Sequence, residues 1–274
     1  MNTFRHGETI SEMLELENDA RKKMYLNEIN IQYKKWRNEN MEISENNKTT
    51  INQKIELYKN YRYFLFSKKF RDENTFVKSR KLFETVLSEF TYFLLKDLEF
   101  LKDENIFLAR AELPLSIKVK YNSARNLRNS KFLKTPLQKM RLVIGQNVEL
   151  KYRIQGRKTF VSKDINLPFI VIETTMVLDE WNAINFHNLA RRFKKIFPQT
   201  MFLKFVEVVR EDFDIDVNSL NINEIFVIQQ QTTNMKRKDI SAEVISAFLN
   251  KIQDYFSKKK EDFIQKIETG ILIK

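Results

Sequence analysis

Near residue 105 the hydrophobic pattern of this 274-residue chain changes period, and the change limits what each part can become. Before it, Leu82, Phe83, Val86, Leu87, Phe90, Phe93, Leu94 and Leu101 recur at three- and four-residue steps. That is the apolar stripe of a helix packed on a sheet or on other helices. Further upstream Ile51, Ile55, Tyr58 and Leu65 share one helical face behind the polar linker SENNKTT (44–50), which ends in a good N-cap. Residues 8–40 alternate charges with Ile10, Met13, Leu14, Ala20 and Met24 and predict one long surface helix.

After residue 105 the steps shorten to two. Leu113, Leu115, Ile117 and Val119 alternate with polar partners, as in a half-buried strand. Strands at 140–145 and 148–154 are expected to form a hairpin across Gly145, Gln146 and Asn147, followed by a turn at Gly156. A buried strand at 168–178, a helix at 180–196, strands at 201–209 and 224–231 and a closing helix at 240–256 complete the pattern. This order predicts an α/β (mixed α+β) fold, a mixed central sheet flanked by helices and preceded by a helical N-terminal region. The expected boundaries are 1–105 for the helical region, 106–260 for the core and 261–274 for a helical tail.

Composition removes several function classes. With no cysteine and only His6 and His187, zinc-ribbon, zinc-finger and histidine-rich sites are excluded, so any metal would be held by carboxylates. Four glycines leave no phosphate-cradling P-loop and no Gly-x-Gly-x-x-Gly, which argues against kinases, ATPases and dehydrogenases. The sequence has no 18-residue apolar run and no signal-peptide core, so a cytoplasmic location and no membrane partner are expected.

The net charge of +12 is concentrated. Residues 106–163 hold 14 Lys and Arg against 2 acids, Glu112 and Glu149, while the rest of the chain holds 34 of each sign. A single-sign region of that size is the footprint of a polyanion-binding surface. The candidate DNA contacts are Arg110, Lys118, Lys120, Arg125, Arg128, Lys131, Lys134, Lys139, Arg141, Lys151, Arg153, Arg157 and Lys158, with Lys163 beyond them. Within the loop YNSARNLRNSK, Asn122, Arg125, Asn126, Arg128 and Asn129 are of the types that pair with base edges. The basic stretch alternates as strands, which disfavours binding to a membrane surface.

One acid, Glu173, stands in the apolar stretch LPFIVIETTMVLDEWN (167–182). Metal-dependent phosphodiester cleavage needs carboxylates to hold Mg2+ against the phosphate and a group that orients the attacking water. A common solution places an Asp on one strand and Glu-x-Lys on the next, whose alternation turns Glu and Lys to one face. Here Glu173 is present, but Thr175 stands at the lysine position. Alternatively, an isolated carboxylate in an apolar strand is costly unless paired, and Arg141 on the preceding strand is its expected partner.

From about residue 79 to 256 the chain resembles a subunit of the heterodimeric type IIT restriction endonucleases of the BbvCI kind, in the PD-(D/E)xK superfamily. The resemblance is carried by RLVIG (141–145), PFIVIETTMVLD (168–179), LARRFKKIFP (189–198), INEIFVIQQQ (222–231) and ISAEVISAFLNKIQDYF (240–256), in order and at similar spacing. It implies that Glu173 falls on the family's metal-binding acid, Thr175 on its lysine and Arg141, beside Lys139 and Met140, on its second acid. A cation in place of a metal ligand repels Mg2+, and a threonine hydroxyl has no charge to stabilise an oxyanion. The resemblance therefore implies a duplex-DNA-binding recognition or partner subunit of a restriction–modification enzyme with an impaired centre. It would act beside a paralogous nuclease subunit or as a homo-oligomer. The alternatives are an active Mg2+-dependent endonuclease, with Glu173 as metal ligand and Glu149, Asp164 or Asp179 as relocated ligands, and a non-DNA interaction scaffold.

Overall fold

The computed structural model describes residues 5–71, 80–115, 118–119, 133–134, 136–152, 161–235 and 238–269. By internal contacts the chain divides into two compact units. One is Met1–Lys102 with Phe226–Gln231 and Met235–Lys274, and the other is Asp103–Ile225 with Thr232–Asn234. These boundaries differ from the expected 106–260 core, because the closing helix groups with the N-terminal helices.

The helical unit contains α1 (Arg5–Leu16), α2 (Ala20–Glu42), α3 (Lys48–Leu65), the single turn α4 (Lys68–Arg71) and α5 (Arg80–Leu95). The expected helix over 8–40 is two helices. Asp19 accepts hydrogen bonds from the Arg21 and Lys22 amides and starts α2 afresh. α2 has one buried face, formed by Tyr25, Leu26, Ile29, Tyr33 and Trp36, while Arg21, Lys23, Lys34, Lys35 and Asn38 are exposed, as expected of a surface helix. The polar linker behaves as expected: Asn47 and Thr50 form a reciprocal capping box at the start of α3. Leu82, Val86, Leu87, Phe90, Phe93 and Leu94 of the α5 stripe are all buried. Aromatic stacking fixes the packing, with Trp36 on Tyr61 at 4.8 Å and Tyr58 on Phe90 at 4.3 Å between ring centroids.

This core also seals in a polar network. Glu89 of α5 accepts hydrogen bonds from the His6 amide (3.2 Å) and the Tyr33 hydroxyl (2.8 Å), and the Gly7 amide also bonds to it. Those amides belong to the first turn of α1, whose donors have no partner inside the helix, so Glu89 caps α1 from another element. His6 Nδ1 lies 2.9 Å from Thr85 Oγ1, and that hydroxyl donates to the Leu82 carbonyl. Nδ1 therefore carries the proton, and Nε2 accepts from the Tyr61 hydroxyl at 2.7 Å. Burial pushes His6 down to about 3 and Glu89 up to about 8, so the network holds a neutral imidazole near neutral pH.

The second unit is built on β1 (Ile106–Pro114), β4 (Leu137–Tyr152), β5 (Val161–Leu178) and β6 (Met201–Val209). The short strands β2 (Lys118–Val119) and β3 (Leu133–Lys134) form a separate ladder. With β7 (Glu224–Val227) the main sheet has the order β1-β4-β5-β6-β7. The β1–β4 and β4–β5 pairs are antiparallel and β5–β6 is parallel, so the sheet is mixed. A parallel neighbour requires a crossover, supplied by α6 (Glu180–Lys194). Ala183, Phe186, Ala190 and Phe193 of α6 pack with Leu113, Val143, Val171 and Phe202 of the sheet.

The hairpin expected across Gly145 is absent, and β4 runs unbroken through it. Glycine is required there for a different reason. A Cβ on Gly145 would lie 2.5 Å from the Leu167 carbonyl oxygen, at the register shift between Ile144 and Gly145. The expected turn at Gly156 lies outside the described residues. The strand expected over 224–231 ends at Val227, and Gln230 adopts a left-handed φ of 49°. The closing helix α7 (Ala242–Thr269) starts at Ser241, whose hydroxyl accepts from the Val244 amide, and buries Ile245, Phe248, Leu249 and Ile252. It packs on α3 and places Phe248 against Phe226, which is why it belongs to the helical unit.

Candidate functional site

Three central strands bring Arg141, Glu173 and Lys204 into one row. Glu173 on β5 is the register partner of Lys204 on β6. One step beyond the Leu142–Ile172 pair, Arg141 on β4 reaches across, with Nε 3.9 Å from Glu173 Oε1. Two residues along each strand lie Val143, Val171 and Phe202, which pack with α6. Side chains repeat faces every second residue, so the charged row lies on the α6 face of the sheet.

The environment changes across the row. Arg141 and Glu173 side chains are each 24% exposed, whereas Lys204 is only 1% exposed. The Arg141 guanidinium also donates to the Thr174 carbonyl at 3.2 Å, which fixes its orientation. Lys204 Nζ lies 5.2 Å from the Phe186 ring centre and 3.4 Å from the Asn182 carbonyl. Burial pulls the Lys204 ammonium down to about 8; Glu173 opposes the shift, Arg141 adds to it and Asp179 opposes it. Glu173 is thus a counter-ion to cations on both sides. The expected Arg141–Glu173 pair is present, and both side chains are largely but not fully buried.

These residues do not fit Mg2+. Its hard oxygen shell needs several oxygen ligands brought together, and here Glu173 is a lone carboxylate, with the Arg141 guanidinium on the strand where a second acid is required and Lys204 on the other side. Thr175 is buried and its hydroxyl donates to the Val177 carbonyl at 3.2 Å. Asp179 caps α6 by accepting from the Asn182 amide at 2.7 Å. Glu149 and Asp164 pair with each other across β4 and β5, nine residues from Glu173 along β5. At about 3.3 Å per residue that is roughly 30 Å away. Glu149 is moreover engaged by Lys151 at 2.9 Å, which holds its carboxyl below the usual range. Neither acid reaches the row. Among the described residues no group of three or more acids and histidines is placed to hold a metal.

Of the basic residues, Arg110, Lys139 and Lys151 are exposed on β1 and β4. Arg110 occupies the bulge between Ala109 and Ala111. Lys139 lies 3.6 Å from Glu112 on the neighbouring strand. Lys118 and Lys134 are register partners in the small ladder. Lys120, Arg125, Arg128, Lys131, Arg153, Arg157 and Lys158, like Asn122, Asn126 and Asn129, lie outside the described residues. No helix among the described residues is long and apolar enough to cross a membrane.

Sequence reasoning missed Lys204. Its signal was present in MFLKFVEVV (201–209), where a lysine interrupts a strand buried on both faces. A charge so placed needs a partner, and the parallel register supplies Glu173.

No family model matches the chain, and no curated protein sequence matches it. Its structure is similar to a solved one described as the native BbvCI A2B2 tetramer at low resolution. The TM-score is 0.73 over 94% of this chain and 98% of that one, at 13% sequence identity. The chain therefore has a restriction-endonuclease-like fold.

Proposed function

We propose that this protein binds duplex DNA as a subunit of a restriction-endonuclease-like assembly and leaves phosphodiester cleavage to a nuclease subunit beside it. The observation that carries this reading is the Arg141–Glu173–Lys204 row, where the centre's acid is flanked by two cations. The concentration of positive charge in 106–163 supports DNA as the ligand. Lysines and arginines there contact phosphates, and sequence readout falls to the Asn- and Arg-rich loop. The A2B2 composition of the similar tetramer supports an oligomeric setting with two kinds of subunit.

Duplex binding measured against salt tests the reading. Each phosphate neutralised contributes about −0.9 to the slope of log affinity on log salt. A slope of several units that becomes shallower when lysines or arginines in 106–163 are reversed supports it. Absence of duplex binding, together with capture of a protein partner that ignores those reversals, would favour an interaction scaffold instead.

A further inference from the structure

The row carries one net positive charge of its own. Arg141 and Lys204 contribute two cations from β4 and β6, and Glu173 between them contributes one anion. A centre with two carboxylates would repel a phosphodiester until a divalent ion had entered. Here the cation beside Glu173 is covalently part of the chain, oriented by the Thr174 carbonyl and partly open to solvent. Lys204, packed against Phe186 and the Asn182 carbonyl, adds its charge from the buried side and cannot diffuse away.

We propose that this row anchors a DNA phosphodiester on built-in cations, with Arg141 taking the place of a divalent ion, so that duplex binding does not depend on Mg2+. The proposal rests on the duplex-binding reading above and adds to it the chemistry of one contact. Charge-assisted hydrogen bonds from a guanidinium suit a phosphodiester, and their strength does not vary with metal concentration.

The experiment compares duplex affinity in excess EDTA and in Mg2+ at matched ionic strength for the native chain, R141M, R141D and R141D/E173Q. Mn2+ binding is followed by electron paramagnetic resonance, and thermal melts confirm that each variant is folded. The native chain should bind within about twofold under both conditions, because only ionic strength matters to its phosphate contacts. R141M keeps bulk without charge and should bind several-fold more weakly in both. R141D should lose tenfold or more in EDTA, recover affinity with Mg2+ and bind Mn2+, and R141D/E173Q should lose that Mn2+. A native chain that needs Mg2+, or that itself binds Mn2+, would overturn the proposal, as would R141M binding as tightly as the native chain. No duplex binding under any condition would instead bring down the function reading as well.

Discussion

Each unit of the molecule encloses an acidic side chain among polar groups, and the two are treated in opposite ways. Glu89 in the helical unit is 3% exposed and takes its hydrogen bonds from two α1 amides and a tyrosine hydroxyl. Glu173 in the sheet unit is more open and faces an arginine and a lysine. The first arrangement satisfies donors that would otherwise be stranded, and so holds helices together. The second spends packing on full charges in the middle of a sheet, a costly choice for stability alone. The contrast teaches where stability and ligand chemistry reside: the sealed network is structural, and the open charged row is the candidate site.

The comparison breaks most visibly at Glu89. Glu89→Ala strands the α1 amides and the Tyr33 hydroxyl and leaves a cavity, so a loss of about 3 kcal/mol or more is expected in urea unfolding. Duplex affinity per folded molecule should not change. Glu173→Ala should behave differently, costing about 1–3 kcal/mol because Lys204 stays buried without its counter-ion. Duplex binding at low salt should nonetheless tighten a few-fold, since the row gains positive charge. Weaker binding on removal of this acid would contradict the assigned role of the row.

Titration sharpens the same contrast. Glu89 is raised to about 8, so its contribution is full below the unfolded value of 4.5 and is lost as pH climbs to 8. His6 is lowered to about 3, so its contribution is full above 6.5 and is lost as pH falls to 3. Their slopes oppose between 4.5 and 6.5, and the helical unit should show a stability plateau there, falling on either side. Glu89→Gln should abolish the alkaline fall between 6.5 and 8 in equilibrium unfolding, while leaving the acid limb. The smallest effect belongs to the exposed rim. Lys139→Glu should weaken duplex binding a few-fold and reduce the salt slope by about one.

Much of the fold was legible because its elements keep a single period over enough residues. The α5 stripe, the buried strand leading into α6, and β6 itself all read directly from spacing. The errors fell where tertiary context decides. Gly145 reads as a turn, but the close approach of the Leu167 carbonyl demands glycine inside a continuous strand. Residues 8–40 look like one surface helix, yet Asp19 ends one helix and restarts another as α2. At the site, Arg141 and Glu173 could be paired from strand alternation and neighbouring order. Lys204 could not, because its place beside Glu173 depends on the register that the α6 crossover imposes on a parallel strand.

The most direct test is plasmid cleavage by the purified chain with Mg2+ or Mn2+, beside Glu173→Ala, scored as supercoiled, nicked and linear DNA. The account predicts intact supercoiled plasmid from both proteins in preparations that bind duplex DNA in a salt-sensitive manner. Nicked or linear DNA made by the native chain and lost in Glu173→Ala would contradict it, and would show that the centre cleaves DNA in spite of Arg141.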